Sequence, residues 1–309
     1  MAGRVLIFGV NGFVGGWLTR EFVEHSYEVV GSDVGESALH EGLSGYRSGD
    51  LLDAGRVSAI VRDVRPDMVI NLAAISSVGQ SWKVPALTVQ VNVVGAINVL
   101  EAARAMAEPP KILLVGSSEE YAPSDKPLKE TDPLDATNPY GISKVTQERM
   151  AELYGERYGL MIYRTRSFNH TGPGQSTKFV IPSWCKQVAD IEKSGKPGVI
   201  HVGNLDVVRD FSDVRDVVRA YRMILESDYA GEAFNVGSGR AVSLRKLLAA
   251  VVVQSSQHVD VVVDENRIRP ADTPFICGDV NHIATQLDWE PSFPIERTIA
   301  DLTTLYAES

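Results

Sequence analysis

Arg4-Val5-Leu6-Ile7-Phe8-Gly9-Val10-Asn11-Gly12-Phe13-Val14-Gly15 opens on an apolar run and closes on the pattern G-x-x-G-x-x-G. A short run rich in branched residues and stopped by glycine reads as a buried strand of a parallel sheet. The glycines then lie on a strand-to-helix turn. There they let the backbone approach a pyrophosphate, and the helix N-terminus favours the anion. Gly9, Gly12, Phe13, Val14 and Gly15 are the expected cradle, and Trp17 to Glu24 continues as the helix. Glu28 to Asp33 is a second strand ending in an acid. Asp33 lies about 20 residues beyond the glycines, the spacing of an acid on adenosine ribose hydroxyls. A glycine motif alone is a weak signal; two strands, a helix and the acid around it make a strong one. The competing explanation is a tight turn with an unrelated surface aspartate. No arginine directly follows Asp33, which favours NAD(H), with NADP(H) as the alternative.

Outward from this unit the chain repeats strand and helix. Gly49-Asp50-Leu51-Leu52-Asp53 ends a third short strand. Asp50 is placed to reach the adenine amino group, with Leu51 beside it, or to cap a helix. Asp67 to Leu72 is a fourth strand, and Ala73 to Ser77 is the loop after it. The small residues there let Leu72, Ala73 and Ala74 approach the cofactor ribose, and Ser76 the substrate. A helix over about Val84 to Ala107 carries apolar residues widely around its circumference. It is buried on more than one side, either against the sheet alone or also in a dimer. Lys111 to Val115 is another buried strand, and Gly116-Ser117-Ser118-Glu119-Glu120-Tyr121 follows it. Loops leaving the carboxyl ends of strands carry the site in open α/β sheets, so Ser117 is expected at its lip. Asn138-Pro139 starts a helix on which Tyr140 and Lys144, four apart, share a face. An ammonium near a phenol of pKa about 10 favours the phenolate, and such a pair beside a hydroxyl is a proton-transfer device. Standing alone, Y-x-x-x-K describes an ordinary amphipathic helix.

With 309 residues and 44% hydrophobic content, the chain suits one large α/β unit or one and a half. A formal net charge of −10 argues against nonspecific binding of nucleic acid or anionic membranes. Cys185 and Cys277 have no metal-like spacing and imply no disulfide framework, which suits a reducing cytoplasm; no metal site is expected. No stretch approaches the roughly 20 continuous apolar residues of a membrane span. In the second half, Asp213 to Leu225 reads as a helix returning to the cofactor unit and Glu232 to Val236 as a strand. Ser243 caps a helix through Gln254, Val259 to Val263 is a strand, and the tail ends in an amphipathic helix.

The glycine loop, Asn71-Leu72-Ala73-Ala74, the Ser117 loop and Tyr140-x-x-x-Lys144 resemble the extended short-chain dehydrogenase/reductases, in their nucleotide-sugar-modifying branch. The resemblance spans essentially the whole chain. It implies a doubly wound parallel Rossmann sheet with a smaller, discontinuous C-terminal α/β substrate domain. The expected division is 1–166 with 206–226 for the cofactor, and 167–205 with 227–309 for the nucleotide sugar. Tyr163 to Gln175 looks like the strand and loop that hold a nucleotide diphosphate, with Asn169 as its asparagine. Val202-Gly203-Asn204-Leu205-Asp206-x-x-Arg209-Asp210-Phe211 resembles a segment shared by GDP-mannose dehydratases and GDP-keto-deoxymannose reductases. Arg209 and Arg269 match its diphosphate arginines, whose fork of donors suits phosphate. Val180 and Asn204 lie where the family grips the nucleotide base. The breadth of the apolar face on the Val84 helix makes a homodimer through a bundle with the Tyr140 helix an expectation, packing on the sheet alone being the alternative.

The leading expectation is reduction of GDP-4-keto-6-deoxy-D-mannose at C4 to GDP-D-rhamnose. Tyr140 would donate the proton, Lys144 hold the ribose and lower the Tyr140 pKa, and Ser117 bond the developing alkoxide. The runner-up is GDP-mannose 4,6-dehydratase, because Glu119 stands where those enzymes carry their glutamate. Asn169-His170-Thr171-Gly172-Pro173-Gly174-Gln175 has the reductase-like form, and the chain is short for a dehydratase. A nucleotide-sugar epimerase ranks third. A cofactor-sensing protein without activity ranks last, since such proteins dispense with the Tyr/Lys pair.

Overall fold

In a computed structural model that describes residues 2–267 and 273–308, the chain builds a seven-stranded sheet with helices on both faces. Six strands come in chain order: β1 (Arg4–Phe8), β2 (Glu28–Asp33), β3 (Gly45–Ser48), β4 (Met68–Asn71), β5 (Lys111–Ser117) and β6 (Ile162–Ser167). The seventh is Ala233–Val236, and the order across the sheet is Ala233–Val236, β6, β5, β4, β1, β2, β3. Every pairing is parallel. Strand order reverses beside β1, and in such sheets the ligand crevice opens at that switch point, outside the carboxyl ends.

The alternation of side chains along β1 explains the two covered faces. Val5 and Ile7 enter a core with Leu113, Tyr163, Tyr221 and Phe234, whereas Leu6 and Phe8 enter one with Ile60, Val69 and Val99. Val5, Leu6, Ile7 and Phe8 are each at most 2% exposed. Burying each such side chain contributes about 1.5–3 kcal/mol, so a polar residue in β1 would unseat the strand that aims the glycine loop.

Several boundaries differ from the sequence reading. The first helix begins at Phe13, directly after Gly12. Asp50 is no helix cap: its carboxylate accepts from Leu52 N at 2.9 Å, and Asp53 caps Ala54–Val64 by accepting from Arg56 N. The long helix is Pro85–Arg104, with a wider π turn at Gln90–Val94. That turn seats Asn92, which donates to Ile75 O at 3.2 Å and Ser143 Oγ at 2.9 Å and accepts from Ile75 N. By length and composition this helix would cross a membrane, yet half of its apolar window is buried inside the protein. β5 runs two residues further than Val115 because Gly116 and Ser117 continue the ladder opposite Arg166 and Ser167.

The second unit centres on Trp184, Ile200, Leu247 and Leu302, contributed by helices Val180–Ser194, Leu244–Val252 and Ile295–Glu308 and strand Gly198–Val202. Pairing moves two segments across the expected domain division. Ala233–Val236, assigned to the substrate unit, pairs with β6 of the large sheet. Val208–Asp213, assigned to the cofactor unit, instead pairs with Ala241–Ser243, Phe275–Ile276 and Asn169–Thr171. The four-residue AFNV strand is buried and apolar enough for either sheet; only its partner decides.

Candidate active site

At the carboxyl end of β1 the glycine loop makes two approaches that no side chain permits. Gly9 has φ +80°, and a Cβ there would lie 2.6 Å from Ala73 N. On Gly15 a Cβ would lie 2.2 Å from Val10 O. The Leu72-Ala73-Ala74 turn after β4 is thereby drawn against the loop after β1. Gly12 is the N-cap and no side chain caps the helix, so its first-turn amides remain for an anion. Asp33 closes the far end, accepting from Asn11 N at 3.0 Å and Val34 N at 2.8 Å. The cradle therefore fits a dinucleotide: open amides for a pyrophosphate and a carboxylate beyond them. Leu51 is buried near this end, packed on Gly95. Phe13 stacks on His170, centroids 6.4 Å apart, and Trp17 Nε1 donates to Pro173 O at 2.9 Å. The glycine helix and the loop after β6 are thus one wall.

Ser117, Glu119, Tyr140 and Lys144 do converge. Asn138 caps helix Pro139–Tyr158, and Pro139 takes the first-turn position where its missing N–H costs nothing. Gly141 lets the helix start settle on the Ser117 turn; a Cβ there would lie 2.2 Å from Glu119 O. The Tyr140 phenol lies beside Ser117. Burial pushes its phenol upward, the Ser117 hydroxyl opposes this, and Glu120 and Glu119 add to it. The phenol is accordingly protonated at neutral pH. The expectation was a phenol drawn downward by Lys144; burial instead holds it above its ordinary value. Lys144 Nζ donates to Val115 O at 2.7 Å and Gln147 Oε1 at 3.1 Å. Burial pushes the Lys144 ammonium down to about 8, against the pull of Glu120.

Behind the site lies a charged cluster that the sequence reading did not find. Glu120 Oε1 accepts from Ser117 N at 2.6 Å, while Glu120 Oε2 is buried without a donor. Glu148 lies against it, held by Arg166 Nε at 3.1 Å, Arg166 Nη2 at 2.6 Å and Arg164 Nη1 at 3.2 Å. Two touching carboxyls in a dry interior do not both ionise. The guanidiniums of Arg164 and Arg166 are both turned on Glu148. Burial, then Glu148, pushes Glu120 well above its ordinary range, and its proton supplies the missing bond. A signal for the cluster did exist: Arg164 and Arg166 alternate on a strand, and Glu148 and Glu152 are four apart on a helix.

A stability test follows. Unfolded, Glu120 loses its proton near the ordinary value of 4.5; folded, it keeps it to higher pH. Its contribution is full below the unfolded value and drains as pH rises through the folded one. Glu120→Gln keeps an acceptor for Ser117 N and gains a donor for Glu148. Wild-type Tm should fall relative to this variant as pH rises above the ordinary carboxylate range. A constant difference over that rise would mean that Glu120 is already ionised.

Among the remaining predicted residues, Asn169, Val180, Asn204 and Arg209 lie on segments of or beside the second unit. Asn169 opens the short strand after β6, Val180 opens its helix, and Ser76 is exposed on the loop after β4. Asn204 Oδ1 accepts from Asp206 N at 2.9 Å. Arg209 is 8% exposed and donates to Val208 O at 2.9 Å. Arg269 lies outside the described residues. A small cleft adjoining Glu119 is lined by Ser118, Tyr121, Leu128, Thr137 and Phe275. A larger cavity of 540 Å³, lined by Arg149, Glu156 and Gly231, opens beside β6 where that strand begins, away from this chemistry.

Comparison with known proteins agrees with this architecture. The family model described as GDP-mannose 4,6 dehydratase matches residues 6–302. The GDP-6-deoxy-D-mannose reductase of Pseudomonas aeruginosa is 30% identical over 97% of this chain and 95% of its own length. A GDP-mannose 4,6-dehydratase of Vibrio cholerae is 27% identical over 98% and 93% respectively. Among solved structures, RMD from Pseudomonas aeruginosa complexed with NADPH superposes with a TM-score of 0.87, at 27% identity and 99% coverage of both chains. With a family match spanning nearly all its length and a parallel sheet carrying the family's motifs at its carboxyl edge, the chain belongs to the GDP-mannose 4,6 dehydratase family.

Proposed function

We propose that the protein reduces the C4 ketone of GDP-4-keto-6-deoxy-D-mannose with NAD(P)H, forming GDP-D-rhamnose. The observation that carries this reading is the buried, protonated Tyr140 phenol beside the Ser117 hydroxyl. A reductase needs an acid there at the start of turnover. When bound, the nicotinamide supplies the hydride. Tyr140 gives its proton to the sugar O4 as negative charge develops. Ser117 Oγ accepts from Glu119 N at 3.2 Å, leaving its own hydrogen for the same oxygen. Donors fixed before the reaction cost no reorganisation when charge appears. Lys144 holds the cofactor ribose once that ligand competes with Val115 O and Gln147. Asn169, Arg209 and Arg269 are assigned to the diphosphate, and Val180, Asn204 and Ser76 to the remainder of the GDP-sugar.

Asp33 supports NAD(H): a carboxylate at the ribose repels a 2′-phosphate, and residues 34–44 include no Lys or Arg. The NADPH in the Pseudomonas structure keeps NADP(H) as the alternative. Glu119, on the cleft, favours the second reading, GDP-mannose 4,6-dehydratase; the family match supports either reaction. The reducing cytoplasm is the compartment that two free, buried cysteines suit. Exposed Leu87, Val89 and Val94 on one helix and Ile142 and Leu153 on the neighbouring helix support a homodimer through a helix bundle, which light scattering would read as a two-chain mass. The deciding assay supplies GDP-mannose without reduced cofactor, and separately the keto sugar with NADH or NADPH. The reductase consumes reduced cofactor in step with keto sugar. Conversion of GDP-mannose in the first arm would instead establish the dehydratase.

A further inference from the structure

Asn138 does two things at once. Its Oδ1 accepts from Gly141 N at 2.9 Å, capping the helix that carries Tyr140 and Lys144. Its Nδ2 donates to Glu119 Oε2 at 2.8 Å. The side chain is 6% exposed, and the Glu119 turn sits backbone to backbone on Gly141. Both ends of the carboxamide are therefore engaged, and one Glu119 oxygen is turned toward the helix start.

We propose that Asn138 is a positioning residue that restrains Glu119 as a base and so biases this site toward ketone reduction over proton abstraction. The inference rests on the reductase reading above. In a 4-keto sugar the C5–H is acidified by the ketone. Abstraction breaks that bond, moves its electron pair into a C4–C5 double bond and leaves the charge on O4. Glu119 is the carboxylate beside the cleft that can take the proton; the reverse step returns a proton from the same carboxyl. A carboxylate oxygen that already accepts an amide N–H is a weaker and misdirected acceptor for a carbon-bound proton. Serine at 138 keeps a competent cap but is too short to reach Glu119.

The test is solvent deuterium exchange at C5 of GDP-4-keto-6-deoxymannose, followed by NMR without reduced cofactor, for wild type and Asn138→Ser. C3–H, acidified by the same ketone, is the internal reference. Losing a hydrogen bond to a charged group should speed C5 exchange about tenfold or more, with little change at C3. Adding Glu119→Gln should return it to the wild-type rate. Asn138→Asp, which also caps but repels Glu119, should act in the same direction, so a poorly folded serine variant does not end the test. The same preparations are assayed for reduction of the keto sugar. If they reduce it but C5 exchange is no faster, or is faster without Glu119, the inference is overturned and the reductase reading stands. If even wild type reduces nothing, the reading fails and the inference falls with it.

Discussion

Tyr140→Phe is expected to lower kcat for reduction of the keto sugar by about 10²- to 10⁴-fold, the range of general acid catalysis. The substitution is nearly isosteric. Tyr140 is 8% exposed, so the ring stays packed and only the hydroxyl is lost. With it go the proton donor and the phenol's polar contact with Ser117. Losing one neutral hydrogen bond costs about 1 kcal/mol of stability, so the variant should remain folded. Its affinity for reduced cofactor should change little, because the glycine loop, Asp33 and Lys144 are untouched. The informative measurement pairs steady-state kcat with a fluorescence titration of cofactor binding. Turnover equal to wild type would remove Tyr140 from the role of acid. Equal losses in both readouts would point to a folding defect instead.

Arg166→Met carries the largest expected loss of stability. Arg166 is 5% exposed and its guanidinium serves three partners. It grips both Glu148 oxygens, donates to Tyr121 Oη at 3.0 Å and Glu130 O at 2.8 Å, and lies over the Tyr121 ring. Methionine fills much of the volume but leaves Glu148 facing Glu120 with Arg164 as its remaining cation. Breaking a buried pair by removing one partner costs about 3–5 kcal/mol. At a few degrees per kcal/mol for a domain of this size, Tm should fall by roughly 10 °C. The deficit should shrink at acidic pH. Arg166 holds the raised Glu120 carboxyl down; without it Glu120 keeps its proton more firmly folded than unfolded, so lowering pH stabilises the variant relative to wild type. Thermal denaturation at two pH values checks both points. A Tm within about 2 °C of wild type at neutral pH would show that the cluster is not an ion pair of this strength.

Arg166 also marks where the sequence stops being readable. What was legible rests on local rules. Arg4 to Phe8, the glycines and Asp33 are all dictated within one strand-turn-helix-strand unit, and the structure reproduces that unit nearly to the residue. Tyr140 and Lys144 share a face by helical spacing alone. What was not legible depends on register between distant segments. Glu120 meets Glu148 because helix Pro139–Tyr158 settles on β5, and Arg166 joins them because β6 pairs with β5 so that Gly116 faces Arg166. No spacing in the chain encodes that register. The same holds for Ala233–Val236, whose residues suit either sheet, and for Lys144, whose bond to the Val115 carbonyl no local spacing foretells. Asn138 was readable as a cap, yet its second bond to Glu119 required both loops in place.

Isotope transfer tests the central claim most directly. The purified protein is given GDP-4-keto-6-deoxymannose with nicotinamide cofactor deuterated at C4 of the reduced ring, and the nucleotide sugar is read by NMR. One deuterium is expected at the sugar C4, which then carries a hydroxyl, and none at C6. Deuterium at C6, or a 4-keto sugar recovered unlabelled while GDP-mannose is consumed in a parallel sample, would contradict the reductase reading.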